Sequence, residues 1–188
     1  MQLELTETQK LIRETAGRFA RDVVAPRARM TDREEKFPAE VYGQLAELGL
    51  LGVNIPTELG GAEAGVVSYA LAMIEISAAC ASTSVGMAVT NMCGELITAF
   101  GTDAQKKKHV AALTSGKAIA GAFALSEPHA GSDPGAMRTK AVKTSTGWVL
   151  NGAKQWITSG AYSGVIVVWA RTGGEGNKGL SCFIVEGK

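Results

Sequence analysis

Two short stretches of this chain hold the residues whose types and spacing could do chemistry. The first runs Phe123-Ala-Leu-Ser-Glu-Pro-His-Ala-Gly-Ser-Asp133. Ser126 leaves a predicted strand and enters a turn that Pro128 restricts and Gly131 opens, with hydroxyls at both ends (Ser126, Ser132) and free backbone amides between. Amides and hydroxyls converging on a concave turn suit a carbonyl-rich or phosphate-bearing ligand. The plain alternative is a structural turn in which Asp133 caps its own backbone. The second stretch, Gln155-Trp-Ile-Thr158, sets an indole two residues from a hydroxyl. On a strand, alternation turns Trp156 and Thr158 to one face, where the ring packs against a planar heterocycle and the hydroxyl bonds its edge. For that segment alone, a tryptophan in a strand core is the competing account. The conjunction of the two, with Gly152 and Gly160 flanking the second, favours a ligand site with two walls.

Other candidates carry less. Gly174, Gly176 and Gly179 satisfy G-x-G-x-x-G, but a dinucleotide fingerprint needs a strand before and a helix after, and here strands lie on both sides. A hairpin turn is the better reading. His109 reads as a helix-surface residue and His129 as part of the first loop; the two form neither a metal site nor a triad. Lys106-Lys107-Lys108 reads as a solvated face. Cys80, Cys93 and Cys182 are odd in number and unpatterned, which fits neither a disulfide framework nor zinc and suggests a reducing compartment, the cytoplasm or, in a eukaryote, the mitochondrial matrix.

The elements that must position these residues follow from composition and pattern. The 188 residues are 46% hydrophobic and 20% charged, enough for one large or two small domains. A net charge of +1 gives no field that would draw nucleic acid or an acidic membrane. The start, Met1 to Glu7, carries acid where a secretory signal carries Lys or Arg before an apolar run, and the uncharged stretch Ile76 to Gly94 is too polar for a membrane span. It reads as buried helix. Thr6 and Gln9 form a capping box, with Leu11, Ile12, Thr15, Ala16, Phe19 and Val23 along one helix face as far as Pro26. A second helix runs from Pro38 to Gly49, and two apolar ones span Val66 to Ala81 and Ser84 to Phe100, with small residues for close packing. Thr102 and Gln105 open a last helix that ends near Ser115-Gly116. Beyond it, runs at Ala118–Leu125, Ala136–Lys143, Trp148–Leu150, Gly164–Ala170 and Leu180–Val185 are short and β-branched, separated by turn clusters. The pattern gives an α+β chain, with an all-α domain over 1–116 and an antiparallel β domain over 117–188.

At this point the sequence resembles the flavin-dependent acyl-CoA dehydrogenases. Phe123 to Asp133 resembles the family's [aromatic]-x-[Leu/Val]-[Ser/Thr]-Glu-Pro-x-Ala-Gly-Ser-Asp signature, and Gln155 to Thr158 its [Lys/Gln]-x-[Trp/Phe]-Ile-[Thr/Ser] segment. The likeness extends through Ile55-Pro56-x-Glu58-x-Gly60-Gly61 and Phe100-Gly101-Thr102 to Val185. It implies an N-terminal helical domain followed by a truncated, barrel-like antiparallel β domain, with the family's C-terminal four-helix domain absent from this length. It implies FAD contacts from Phe123, Ala124, Leu125, Ser126, Glu127, Pro128, His129, Ala130, Gly131 and Ser132, and from Trp156, Ile157 and Thr158. The Leu125 amide and Ser126 hydroxyl would lie at the pyrimidine edge, Ser132 at the pyrophosphate and the acyl-CoA, Trp156 beside the ring and the Thr158 hydroxyl at N5. The implied reaction is α,β-dehydrogenation of an acyl-CoA to the trans-2-enoyl-CoA, in which a carboxylate removes the α proton while hydride passes to the flavin. The family's glutamate base lies in the C-terminal domain, so no catalytic residue is assigned within this chain, neither Glu127 nor Asp133, Glu75 nor Glu95. The 188 residues alone are expected to bind FAD weakly and not to turn over. Electron-transfer flavoprotein as acceptor and a homotetramer in the complete form are implied too. An acyl-CoA oxidase or flavin monooxygenase on the same scaffold, or a non-catalytic flavin or acyl-CoA binding half that works only in an assembly, remain open.

Overall fold

The computed structural model describes residues 4–187. Met1 to Leu3, where the stretch compared with a secretory signal begins, and Lys188 lie outside them. Helix α1 (Glu7–Phe19) starts as its capping box requires: the Thr6 hydroxyl accepts from Gln9 N–H, and the Thr6 N–H donates to Gln9 Oε1 at 3.0 Å. The helix does not stop at Pro26. Ala20–Val24 widens into a π turn and α2 (Ala25–Glu34) continues through the proline. In that turn Ala25 N–H already bonds the carbonyl of Ala20, five residues back, so the ladder is displaced where the ring lacks its N–H and would clash. The buried stripe is Ala16, Phe19, Ala20 and Val24, whereas Leu11 is 64% exposed.

Helix α3 (Ala39–Glu47) has Pro38 at its N-cap and ends in a Schellman motif. Gly49 takes φ +72°, its N–H bonds Ala46 O at 2.9 Å, and Leu50 N–H bonds Leu45 O at 2.8 Å. Leu45 and Leu50 then pack into the same core. Helices α4 (Gly65–Ala79) and α5 (Ala81–Phe100) are separated by Cys80, extended at φ −158°, so the two apolar helices expected from the sequence are present and share the uncharged run. Asn91 ties α5 to the preceding loop, accepting from Val53 N–H at 3.0 Å and donating to Leu50 O at 2.9 Å. Thr102 and Gln105 form the second capping box at the start of α6 (Asp103–Gln105), which passes through a π turn (Lys106–Val110) into α7 (Ala111–Thr114). This stretch packs on the sheet, and His109, expected at the surface, is only 8% exposed. Burial holds its imidazole below the ordinary pKa against the opposing pull of Glu186.

The strands are β1 (Gly121–Ala124), β2 (Lys140–Lys143), β3 (Trp148–Asn151), β4 (Val165–Arg171) and β5 (Leu180–Glu186). The α+β class and the order of helices before strands hold, but the sheet is mixed. β2–β3 and β4–β5 are antiparallel, whereas β1 and β2 each join β4 in parallel. A long connection returns β4 alongside β1 in the same direction, a pairing that strand spacing in sequence does not disclose. β5 pairs with the whole of β4, so β1 (opposite Val165–Val168) and β2 (opposite Arg171) share its other edge. The loop from Leu125 to Thr139 leaves the sheet at the gap between them. One buried cluster lies among the helices, and a second joins Cys93 and Ile97 of α5 and Val110 and Leu113 to Val165 and Val167 of β4. Among the described residues no helix is long and apolar enough to cross a membrane.

Candidate functional site

The first stretch begins as strand β1 and folds into a tight turn. Ala130 N–H bonds Glu127 O at 3.1 Å and Glu127 N–H bonds Ala130 O at 2.9 Å. Pro128 occupies the second turn position and His129 the third without a positive φ, which makes it a type I turn. Both residues are exposed while Glu127 and Ala130 are buried. The turn is organised from beneath by the Glu127 carboxylate, whose side chain is 2% exposed. It accepts from Arg138 N–H at 2.7 Å, Thr139 N–H at 3.0 Å and Lys154 Nζ at 2.8 Å, and His129 Nε2 lies 3.5 Å away. Burial alone would raise the carboxyl's pKa; the Lys154 contact and the amides overcome it and hold the group at about 2. Glu127 is thus an ionised structural centre, not a base awaiting a proton.

The second stretch is not a strand. Gln155 to Thr158 runs as irregular chain and bend, with Trp156 at φ +60° and Ser159 at φ +59°. The alternation expected for Trp156 and Thr158 therefore does not apply. Left-handed backbone at a non-glycine residue costs about 1–2 kcal/mol, and here it projects an indole that is 86% exposed. Strain that leaves a large aromatic in the open gains nothing in packing and points to a surface that meets a ligand.

The two stretches are brought together by the residues just before Trp156. Gln155 N–H bonds Ser126 O at 2.9 Å, and Lys154 Nζ bonds Leu125 O at 2.9 Å as well as Glu127. Ser132 and Gly131 lie at the exposed outer part of the loop, where Asp133 accepts from Gly135 N–H at 3.1 Å, the self-capping that the sequence left as an alternative. Thr158 and Ser159 face a groove walled by Tyr42 of α3 and by Ser82, Thr83 and Gly86 of α5. There Phe37 stacks on Tyr162 (centroids 4.7 Å, 14°) and packs on Tyr42 (4.6 Å), whose hydroxyl donates to Thr83 O at 3.3 Å. Burial and the neighbouring Cys80 push the Tyr42 phenol up to about 12, so it remains a donor. A side chain at Gly86 would fall 1.7 Å from that oxygen.

Sequence reasoning missed two residues. Lys154 is one, although the signal was present: a buried acid needs a cation, and Lys154 is the sole charged residue between Lys143 and Arg171. The other is Arg171, whose guanidinium donates to Gly135 O at 2.6 Å, to Met137 O at 3.2 Å, to Gly176 O at 3.1 Å and to Gly174 O. It binds the glycine-rich β4–β5 turn to the end of the first loop, a long-range role that no local pattern announces.

The donor set fits a planar, anionic ligand. Among the described residues the hydroxyls of Ser126, Ser132 and Thr158 and the N–H groups of Ser126, Gly131 and Ser132 find no protein partner. Gly131 has no positive φ, and a Cβ there would meet nothing within 4 Å. The chain's own packing does not demand a glycine at that position; close approach of a ligand would.

Known proteins share this arrangement. Residues 6–117 match the family model described as acyl-CoA dehydrogenase, N-terminal domain, and residues 122–188 the one described as acyl-CoA dehydrogenase, middle domain. The chain is 45% identical over 186 residues to the mitochondrial short-chain specific acyl-CoA dehydrogenase of Bos taurus, covering 97% of this chain and 45% of that protein. Butyryl-CoA dehydrogenase from Megasphaera elsdenii has a TM-score of 0.92 at 33% identity, over 99% of this chain and 49% of that one. PigA, solved with FAD and proline, has a TM-score of 0.91 at 29% identity, over 99% and 49%. The chain spans about half the length of these relatives.

Proposed function

The chain belongs to the acyl-CoA dehydrogenase family, and we propose that it holds FAD between the Phe123–Ser132 loop and the Trp156–Thr158 bend for α,β-dehydrogenation of an acyl-CoA thioester. One observation carries this reading: unpartnered hydroxyls and amides of the loop lie beside an exposed indole on a strained backbone, joined through the Gln155–Ser126 hydrogen bond. When bound, FAD supplies the two-electron acceptor that the reaction needs. The chain's residues bind and orient it: the Leu125–Ser126 segment presents donors to the pyrimidine edge, Trp156 covers a ring face and Thr158 offers its hydroxyl at the hydride-accepting edge. Ser132, at the loop's outer end, serves the pyrophosphate and borders the acyl-CoA. Glu127 does not move a proton, because Lys154 and two amides keep it ionised.

The general base is assigned to no residue here. Electron-transfer flavoprotein is the proposed acceptor and a homotetramer the proposed assembly, with a reducing compartment to match the free thiols Cys80, Cys93 and Cys182. The relatives named for short-chain and butyryl substrates make butyryl-CoA the first thioester to try. Flavin chemistry on a different substrate is the second reading, because the fold is shared with PigA, solved with FAD and proline.

The test is a visible spectrum of the complete protein or assembly that carries this chain, supplied with FAD, followed by anaerobic addition of butyryl-CoA or proline. Flavin absorbance that is shifted on binding and bleached by the thioester supports the first reading. Bleaching by proline alone would replace it with the second. Rapid oxygen consumption with the thioester would favour an oxidase over a dehydrogenase.

A further inference from the structure

Lys154 makes more contacts than a structural turn requires. The amides of Arg138 and Thr139 and one contact from Lys154 Nζ are enough to satisfy the buried Glu127 carboxylate. Yet Lys154 Nζ, with a side chain only 12% exposed, also donates to Leu125 O at 2.9 Å. That carbonyl and the Ser126 N–H are the two ends of one peptide unit. A cation bonded to the carbonyl draws electron density across the amide and strengthens the N–H at the far end as a donor. The Ser126 N–H is unpartnered among the described residues, and the carbonyl on its other side is fixed by Gln155 N–H at 2.9 Å. Ser126 is therefore gripped on both flanking peptides by the consecutive residues Lys154 and Gln155, with one polarised donor left unpartnered among the described residues.

We propose that Lys154 is a positioning residue that, through the Leu125–Ser126 peptide, strengthens the donor presented to the flavin and so favours its reduced state. This rests on the flavin reading above. Reduction places negative charge on the pyrimidine edge, and a donor aimed there stabilises the reduced form more than the oxidised one. The lysine does not touch the cofactor; its effect passes through the amide and through the orientation of Ser126.

The experiment is a reductive titration against a reference dye in the FAD-loaded protein, comparing wild type with Lys154→Arg, Lys154→Met and the double variant Glu127→Gln/Lys154→Met. The double variant removes the stranded buried charge and keeps an acceptor oxygen at residue 127 for one of the two amides, so it should fold even where the single Met variant does not. At a fixed applied potential, the ratio of reduced to oxidised flavin should fall about tenfold in the double variant, which for a two-electron couple is about 30 mV. Lys154→Arg should stay within roughly threefold of wild type, since it keeps a cation on the carbonyl. A wild-type ratio in the folded, flavin-loaded double variant would overturn the proposal and leave the flavin reading standing. Failure of the wild-type protein to bind FAD at all would overturn both.

Discussion

The turn at Glu127 and the bend at Trp156 meet through a single backbone hydrogen bond, Gln155 to Ser126, but they are held by opposite means. The turn is secured from within: a carboxylate beneath it collects two amides and an ammonium, and no residue of the turn needs a positive φ. The bend has two residues in left-handed backbone, and its support comes from across the molecule, where Phe37 stacks on Tyr162 and the Tyr42 hydroxyl sits against Gly86. One wall would keep its shape largely on its own. The other exists only because the helices are packed behind it, so the helical part is as much a piece of the site as the sheet.

The difference can be broken at either wall. The largest effect should come from Glu127→Leu, which strands Lys154 among buried groups; removal of one partner of a buried pair costs about 3–5 kcal/mol, read by urea unfolding. The same carboxylate gives a pH signature. Its folded pKa is depressed from 4.5 to about 2, so its stabilisation is fully present above about pH 4.5 and is lost as pH falls toward 2. Glu127→Gln should remove that part of the acid sensitivity; an unchanged acid profile would mean the carboxylate does not carry it. Next is Gly86→Ala, where overpacking against Tyr42 should cost about 1–3 kcal/mol and weaken flavin binding in proportion. A Gly86→Ala protein with normal flavin affinity would show that the bend does not depend on the helices.

Trp156→Gly should separate stability from binding. The indole is 86% exposed, so glycine loses little packing and relieves about 1 kcal/mol of backbone strain, partly offset by unfolded-state entropy. Unfolding should be unchanged or slightly harder while FAD affinity falls, and parallel losses in both would refute a ligand-facing strain. The smallest change is Thr158→Val, which removes a hydrogen bond worth about 1 kcal/mol and should lower flavin affinity or the rate of flavin reduction by up to about tenfold. No change in either would remove Thr158 from the flavin contacts.

Legibility in the sequence follows the same division. The capping boxes at Thr6 and Thr102 and the helix stop at Gly49 are local physics, written within a few residues, and the structure has them. The glycine-rich run after Arg171 was readable as a hairpin because its flanks are β-branched on both sides. What the sequence withheld is set by partners far along the chain. The parallel pairing of β1 with β4, the π turn that carries a helix through Pro26 and the burial of His109 depend on what lies alongside. Trp156 is the instructive miss. Period-two alternation is meaningful only if the segment is a strand, and Trp156 sits instead in left-handed backbone at φ +60°.

The gap along one edge of β4, between the end of β1 opposite Val168 and the start of β2 opposite Arg171, constrains the signature loop in a way that ligand chemistry does not. The chain must leave the sheet, build its turn and return in register within a fixed count of residues. One residue more or fewer, where the loop did not take it up, would slide Lys140 past Arg171 and turn the next strand inside out. Between Leu125 and Thr139 length is therefore constrained as well as the side chains that build the turn, and the sheet acts as a ruler for the loop that lies across it.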